Sequence, residues 1–317
     1  MNKNGIIIKG VAGAYTVLAD GISYVCNARG VFRNRKTSPL VGDYVTISVT
    51  DHDKKIGTLH TISKRKNELI RPPVANIDQV IITVATAQPA FNAGLLDRFL
   101  VLAEYEDIPI LICVNKIDLS NHDDSFAPYV QAGYPLVYTS ALESTFGKKA
   151  APPLPEGSGS GIHSRCSGGG LGAAPPFEGS LINLRAHMAG KTNVFAGPSG
   201  VGKSSLINAL MPKLGLETGE LSKKLDRGKH TTRHSEIFPL GGAEDGYCVD
   251  TPGFSSLEID AIPKNKLCLL FREFAEYSGD CKFADCMHNR EIGCAVKEQI
   301  GQGIYPARYE SYLKMLV

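Results

Sequence analysis

Gly197-Pro198-Ser199-Gly200-Val201-Gly202-Lys203-Ser204 places two glycines around a four-residue gap and follows the second with Lys-Ser, the spacing of a phosphate-binding loop. The chemistry needs these residue types. Glycines let backbone N–H groups wrap phosphate oxygens, Lys203 reaches the β- and γ-phosphates, and the Ser204 hydroxyl can bind Mg²⁺. Ser205 continues into a helix-forming run to Leu210, and the apolar Asn193 to Ala196 precedes the loop. Strand, loop and helix thus follow in the order that separates a phosphate cradle from a glycine-rich turn.

A phosphate loop does not choose its base. Asn115-Lys116-Ile117-Asp118 does, because the Asp118 carboxylate can accept from guanine N1–H and from the exocyclic amine, whereas adenine would leave it unpaired. Lys116 is expected along the base, and Asn115 between the loops. Thr139-Ser140-Ala141 resembles the short loop whose backbone N–H meets guanine O6, and its place after Asn-Lys-Ile-Asp gives it weight. Asp250-Thr251-Pro252-Gly253 fits D-x-x-G, with Asp250 reaching Mg²⁺ through water and the Gly253 amide sensing a γ-phosphate. Between it and the phosphate loop lies Arg227-Gly228-Lys229-His230-Thr231-Thr232-Arg233-His234, a basic segment suited to a switch. Thr231 or Thr232 should complete the Mg²⁺ shell, with Thr232 slightly favoured.

A second chemistry sits near the end of the chain. Cys281, Cys286, His288 and Cys294 are three thiolates and one imidazole within fourteen residues, a full tetrahedral set with no open position. The implied Zn²⁺ is structural. His163 and Cys166 lie apart, in the stretch 147–180, where 23 of 34 residues are Gly, Pro, Ser or Ala. That composition reads as a flexible insertion, and its two ligand-type residues as incidental.

Elements must position these groups. Val80 to Ala85 and Ile110 to Val114 are continuous apolar strands, Leu95 to Glu104 repeats apolar residues at helical spacing, and further strands end at Thr139, Ala196 and Asp250. Buried strands alternating with helices indicate a largely parallel α/β sheet covered on both faces. Leu267, Leu270, Phe271 and Phe274 follow helical spacing as core contacts. Ahead of all this, five short β-prone runs (5–9, 14–18, 23–27, 43–49 and 56–62) suggest a small OB-like barrel, closed off by Arg71-Pro72-Pro73.

Composition limits the remaining choices. The chain has 317 residues, 43% hydrophobic and 21% charged, so it can bury several cores and is not wholly disordered. Its apolar runs are too short to span a bilayer, and its start lacks the shape of a secretory signal, so the expected location is the cytoplasm. The net charge of +2 conceals an imbalance. Residues 1–72 hold twelve Lys/Arg against five acids, net +7, leaving 22 against 27, net −5, for the rest. A basic front on an acidic body suits an anionic polymer, with a solvated basic surface as the plain alternative.

Asn-Lys-Ile-Asp here precedes the phosphate loop, the reverse of the ordinary GTPase order, and Asp-Thr-Pro-Gly leads straight into the C-terminal region. A basic barrel, this permuted order and the C-x4-C-x-H-x5-C tail together resemble the RsgA (YjeQ/YloQ) family of circularly permuted, ribosome small subunit-dependent GTPases. The resemblance covers nearly the whole chain except 147–180, where the family usually has a short connection. It implies an OB-like RNA-binding domain over 1–72, a permuted GTPase domain over 73–260 and a zinc-binding helical domain over 261–317. It further implies GTP hydrolysis stimulated by the 30S subunit, contact with 16S rRNA, a role late in subunit maturation, and a monomer. The alternative is a non-enzymatic RNA-binding protein switched by nucleotide. The position after D-x-x-G is Phe254, which cannot orient water; the resemblance assigns that role to His230, with Lys203 and Mg²⁺ meeting the developing charge.

Overall fold

The computed structural model describes residues 2–28, 38–69, 73–119, 124–141, 181–211, 235–241, 245–250 and 259–317. Five strands open the chain: β1 (Asn2–Val11), β2 (Ala14–Ala19), β3 (Ile22–Ala28), β4 (Tyr44–Asp51) and β5 (Ile56–Ile62). They pair in the order β1-β2-β3-β5-β4, and β4 returns to β1 through Asn2–Ile6, so the sheet closes into the expected barrel. Alternation decides which side chains fill it. Ile7, Val17, Tyr24, Cys26, Val45, Ile47 and Leu59 are buried, whereas Ser23, Val25 and Asn27 face out. Ala12-Gly13 and Asp20-Gly21 form two-residue hairpin loops with all four φ values positive, the geometry that suits the right-handed twist of the flanking strands.

Five basic side chains of this front are paired among the described residues. Lys3 pairs with Asp20, Lys9 with Glu236, Lys54 with Asp51, Lys66 with Asp78, and Arg65 with Asp43 and Glu68. Arg65 grips the buried Asp43 at 2.7 and 2.8 Å and the Ser38 carbonyl at 2.6 Å, which folds the chain after β5 back onto the barrel. There β6 (Glu68–Leu69) pairs with β7 (Val74–Ala75).

The α/β part follows as β8 (Gln79–Ala85), α1 (Ala93–Tyr105), β9 (Ile110–Asn115), α2 (Ala127–Gln131), β10 (Leu136–Tyr138), α3 (Leu181–Met188), β11 (Thr192–Ala196), α4 (Lys203–Leu210), β12 (Glu236–Pro239) and β13 (Tyr247–Asp250). Strand order is β10-β9-β8-β11-β13-β12, parallel except for the antiparallel β12. β8, β9 and β11 are buried along their whole length, as their unbroken apolar runs require. β12 also pairs with β1 at Lys9 opposite Glu236, so the barrel and the α/β sheet form one continuous ladder.

Residues 259–317 pack onto α1. The run 264–278 is not the single helix its spacing suggests but a series of short turns, interrupted at Phe271 with φ −101° and ψ 101°. Packing overrides periodicity here: Phe271 and Phe274 stack at 5.2 Å and both meet Tyr312 edge-on, and all three rings are fully buried. Tyr312 belongs to the last helix, α5 (Pro306–Leu316). Its Arg308 is buried and forks onto Glu273 at 2.6 and 3.1 Å while also bonding Asp97 of α1. Residues 259–317 are thus tied to α1 by a buried ionic contact.

Candidate nucleotide site and metal centre

The nucleotide motifs meet because β11, β8 and β9 are neighbours and parallel, which brings their carboxyl ends to one edge of the sheet. The loop after β11 runs from Gly197 to Gly202, and α4 starts at Lys203. Two glycines are sterically required. A Cβ on Gly197 (φ +129°) would lie 2.1 Å from the Thr83 carbonyl oxygen, and one on Gly202 (φ +97°) 2.4 Å from Asn115 Nδ2. The first contact seats the loop against β8, and the second seats it against the Asn-Lys-Ile-Asp turn.

Asn115, at the end of β9, donates from Nδ2 to the Val201 carbonyl at 2.8 Å and accepts from Thr139 Oγ1 at 3.3 Å. It ties three loops together, as its type and position suggest. Lys116 Nζ donates to the Gly200 carbonyl at 2.7 Å and also to Gln88 O. Ser140 Oγ donates to Asp118 Oδ1 at 2.5 Å, which leaves the second carboxylate oxygen of this exposed residue to meet a ligand. Ile117 N donates to the Thr139 carbonyl at 3.3 Å, and Ser140 and Ala141 follow it. Lys203 lies in the loop it serves, with Nζ donating to the Gly197 and Pro198 carbonyls at 2.7 and 2.6 Å. Burial pushes its amine down to about 8. A phosphate group in the loop would replace those carbonyls with a charged partner.

Ser199, Ser204 and Ser205 stand in the loop and the first turn of α4. Ser204 follows Lys203 at the helix N-terminus, where amides favour negative charge. β13 brings the Asp250 backbone to the same edge beside β11. His230, Thr231, Thr232 and Gly253 lie outside the described residues, as do His163 and Cys166. Two participants had no motif to announce them. Thr86 donates from Oγ1 to the Lys116 carbonyl at 2.8 Å, and Gln88 shares Lys116 Nζ with the phosphate loop. The usable signal was position: both follow β8, which adjoins the central strand.

The tail brings its four predicted ligands together. One donor atom each from Cys281, Cys286, His288 and Cys294 lies within 4.8 Å of all the others. Cys281 Sγ and Cys294 Sγ are 3.9 Å apart, and His288 Nδ1 lies 3.6 and 3.4 Å from them. A tetrahedral zinc with ordinary bond lengths puts S···S at about 3.8 Å and S···N at about 3.5 Å, so the set fits. The imidazole is also oriented for it. Ser278 Oγ donates to the Phe274 carbonyl at 2.6 Å and can then accept from His288 Nε2 at 3.3 Å, which leaves Nδ1 its lone pair. Glu291 accepts from the amides of Met287 and Asn289 at 2.9 and 2.8 Å, and Tyr309 donates to the His288 carbonyl at 2.7 Å. The cluster could hold one zinc ion.

Comparison with known proteins agrees with the permuted arrangement. The RsgA GTPase family model matches residues 62–155 and 178–260, and the RsgA N-terminal domain model matches 4–57. The chain belongs to the RsgA GTPase family. It is 43% identical over 318 residues to the small ribosomal subunit biogenesis GTPase RsgA of Alkaliphilus metalliredigens, covering 99% of this chain and 97% of that protein. It is 41% identical to the RsgA of Geobacillus sp. strain WCH70, covering 98% and 96%. Among solved structures it resembles YloQ, a circularly permuted GTPase (TM-score 0.74, 35% identity, 100% and 94% coverage). It also resembles YjeQ from Thermotoga maritima (TM-score 0.75, 32% identity, 100% and 98%). The GTPase match breaks between 155 and 178, within the Gly/Pro/Ser/Ala-rich stretch. Activity follows from the family: the chain is a GTP hydrolase.

Proposed function

We propose that this GTPase binds the small (30S) ribosomal subunit and its 16S rRNA, assists a late step of subunit maturation, and turns over GTP faster on the particle than in solution. The observation that carries the nucleotide part is the joining of Asn115 and Lys116 to the phosphate loop across β9 and β11. The ribosomal part is supported by the relatives, which are named small ribosomal subunit biogenesis GTPases. In this reading the Asp118 carboxylate selects guanine, Lys116 lies along the base, the loop 139–141 meets O6, and the amides of 197–205 with Lys203 hold the phosphates. Ser204, Thr232 and Asp250 would hold Mg²⁺, which supplies charge neutralisation between the β- and γ-phosphates when bound. Gly253 senses the γ-phosphate, and His230 orients the attacking water as a neutral imidazole. Cys281, Cys286, His288 and Cys294 hold one structural zinc. The protein acts in the cytoplasm as a monomer, with the barrel contributing to rRNA affinity. Steady-state GTP turnover measured with and without purified 30S subunits tests this. Stimulation of at least about tenfold, saturating with subunit concentration, is expected; turnover that ignores the subunit would overturn the ribosomal reading.

A further inference from the structure

The turn that carries Asp118 begins with an unusual backbone. Lys116 is a long, non-glycine side chain at φ +61°, in the left-handed region that such residues occupy only when their surroundings leave no alternative. Its neighbours supply that constraint. The Lys116 carbonyl accepts from Thr86 Oγ1 at 2.8 Å and from the Leu119 amide at 3.0 Å, and the preceding Asn115 carbonyl accepts from the Thr86 amide at 3.2 Å. Thr86 thus holds two successive carbonyls of the turn, one with its hydroxyl and one with its backbone. Being the first residue after β8, it makes these bonds from the strand that lies between the phosphate-loop strand and the strand of the turn.

The hydroxyl bond is the one the side-chain type controls. Any residue but proline at 86 could provide the amide, but only Thr or Ser could place a hydroxyl donor there on so short a stem. Two residues further on, Gln88, also at positive φ (+49°), presents its carbonyl to Lys116 Nζ, which bonds Gly200 as well. Pro89 Cδ would lie 3.6 Å from a Cβ on Gly200. The segment 86–89 is therefore wedged between the turn and the phosphate loop, and its one side-chain hydroxyl bond goes to the residue whose strained φ sets the direction of the turn.

We propose that Thr86 is a positioning residue for base selection: its hydroxyl fixes the left-handed turn at Lys116 and so sets where the Asp118 carboxylate meets the base. The inference rests on the reading of Asp118 as the guanine contact. Thr86 itself touches no nucleotide in this scheme; it acts through Lys116.

Binding of GDP and IDP to the full chain separates the possibilities, because hypoxanthine lacks the exocyclic amine and so loses one of the two bonds that Asp118 accepts. Diphosphates avoid turnover during the measurement. The parent should prefer GDP to IDP. Thr86→Val, nearly isosteric, should weaken GDP binding by about three- to tenfold, the worth of one neutral hydrogen bond, and should shrink the GDP/IDP ratio. Thr86→Ser keeps the hydroxyl and should retain both affinity and ratio. A merely structural contribution would lower both affinities in proportion, leaving the ratio at its parental value, and that result would overturn the inference. So would parental affinity and ratio in Thr86→Val, or a Thr86→Ser that behaves like the valine variant. A parent that does not distinguish GDP from IDP would instead refute the Asp118 reading, and this inference with it.

Discussion

Replacing Arg308 with methionine should detach the C-terminal region from α1. The Arg308, Asp97 and Glu273 side chains are only 3%, 1% and 7% exposed, and the guanidinium occupies three hydrogen bonds between two carboxylates drawn from different parts of the chain. Burial opposes the charge on Arg308, yet the hydrogen-bonded Glu273 and the nearby Asp97 more than restore it and hold the group above its ordinary range. It also lies over the rings of Phe271 at 4.7 Å and Tyr129 at 5.3 Å. Methionine fills a similar volume but leaves two buried carboxylates without a cation. Removing one partner of a buried ionic cluster destabilises by about 3–5 kcal/mol, and about 2–4 °C per kcal/mol applies to a unit of this size, so melting should fall by roughly 6–20 °C. Differential scanning calorimetry should show the loss, and limited proteolysis should cut first within 259–317. A compensated variant, Arg308→Met with Asp97→Leu and Glu273→Met, should recover most of the stability, because apolar replacement of a whole buried cluster is often neutral. Melting of Arg308→Met within about 2 °C of the parent, a loss of no more than about 1 kcal/mol, would refute the assignment of this cluster as the clamp.

Asp118→Asn should shift preference from GTP towards XTP, whose base offers an acceptor where guanine offers a donor; parental GTP affinity in that variant would exclude Asp118 from base reading. Purified protein should contain about one zinc per chain, and Cys286→Ser should lose it together with proteolytic protection of 281–294 while still binding GDP; a folded, metal-free parent would remove zinc from the account. With Lys203 at about 8 in the empty site and raised by bound phosphate, binding takes up a proton above that pH. GDP affinity should therefore stay level from about pH 7 to 8 and fall above it by up to about tenfold per unit, and a flat profile to pH 9.5 would contradict the buried-lysine geometry. His230→Ala should lower 30S-stimulated turnover by roughly 10- to 100-fold with GTP and subunit binding retained, and parental stimulated turnover would discharge His230 from catalysis.

The nucleotide motifs and the metal set were legible because their chemistry is local. Gly197 and Gly202 are demanded by the close approach of Thr83 and Asn115, Lys203 and Ser204 by their place at a helix start, and the Cys281, Cys286, His288 and Cys294 cluster by spacing within fourteen residues. The barrel strands showed through alternation, and β8, β9 and β11 through unbroken apolar runs. What stayed hidden depends on residues far apart in the chain. Nothing near Arg308 announces Asp97, 211 positions away, and nothing near Lys9 announces Glu236. Thr86 looked like an ordinary residue at a strand end because its partner, Lys116, is recognisable only once β8 and β9 are side by side. The helical spacing of Leu267, Phe271 and Phe274 identified core positions correctly while misjudging the backbone, since an aromatic cluster rewards burial whatever the local conformation. Composition likewise gives the net charge of residues 1–72 but not which acids from elsewhere meet it: Glu236 pairs with Lys9 and Asp78 with Lys66.

The pairing of β1 with β12 bears on how the molecule survives at high concentration. A β-sheet ends in rows of unpaired amides and carbonyls that can template another chain, and long, flat edges invite association strand to strand. Here β12 would have been such an end, but the barrel strand β1 caps it, and the barrel then consumes its own edges by closing on itself. Among the described residues the eleven-stranded sheet is left with β10 as its open border, and β10 is only three residues long. Fusing a barrel to one side of the α/β sheet thus covers the end of that side at the Lys9–Glu236 pair, next to a strand that closes on Pro239.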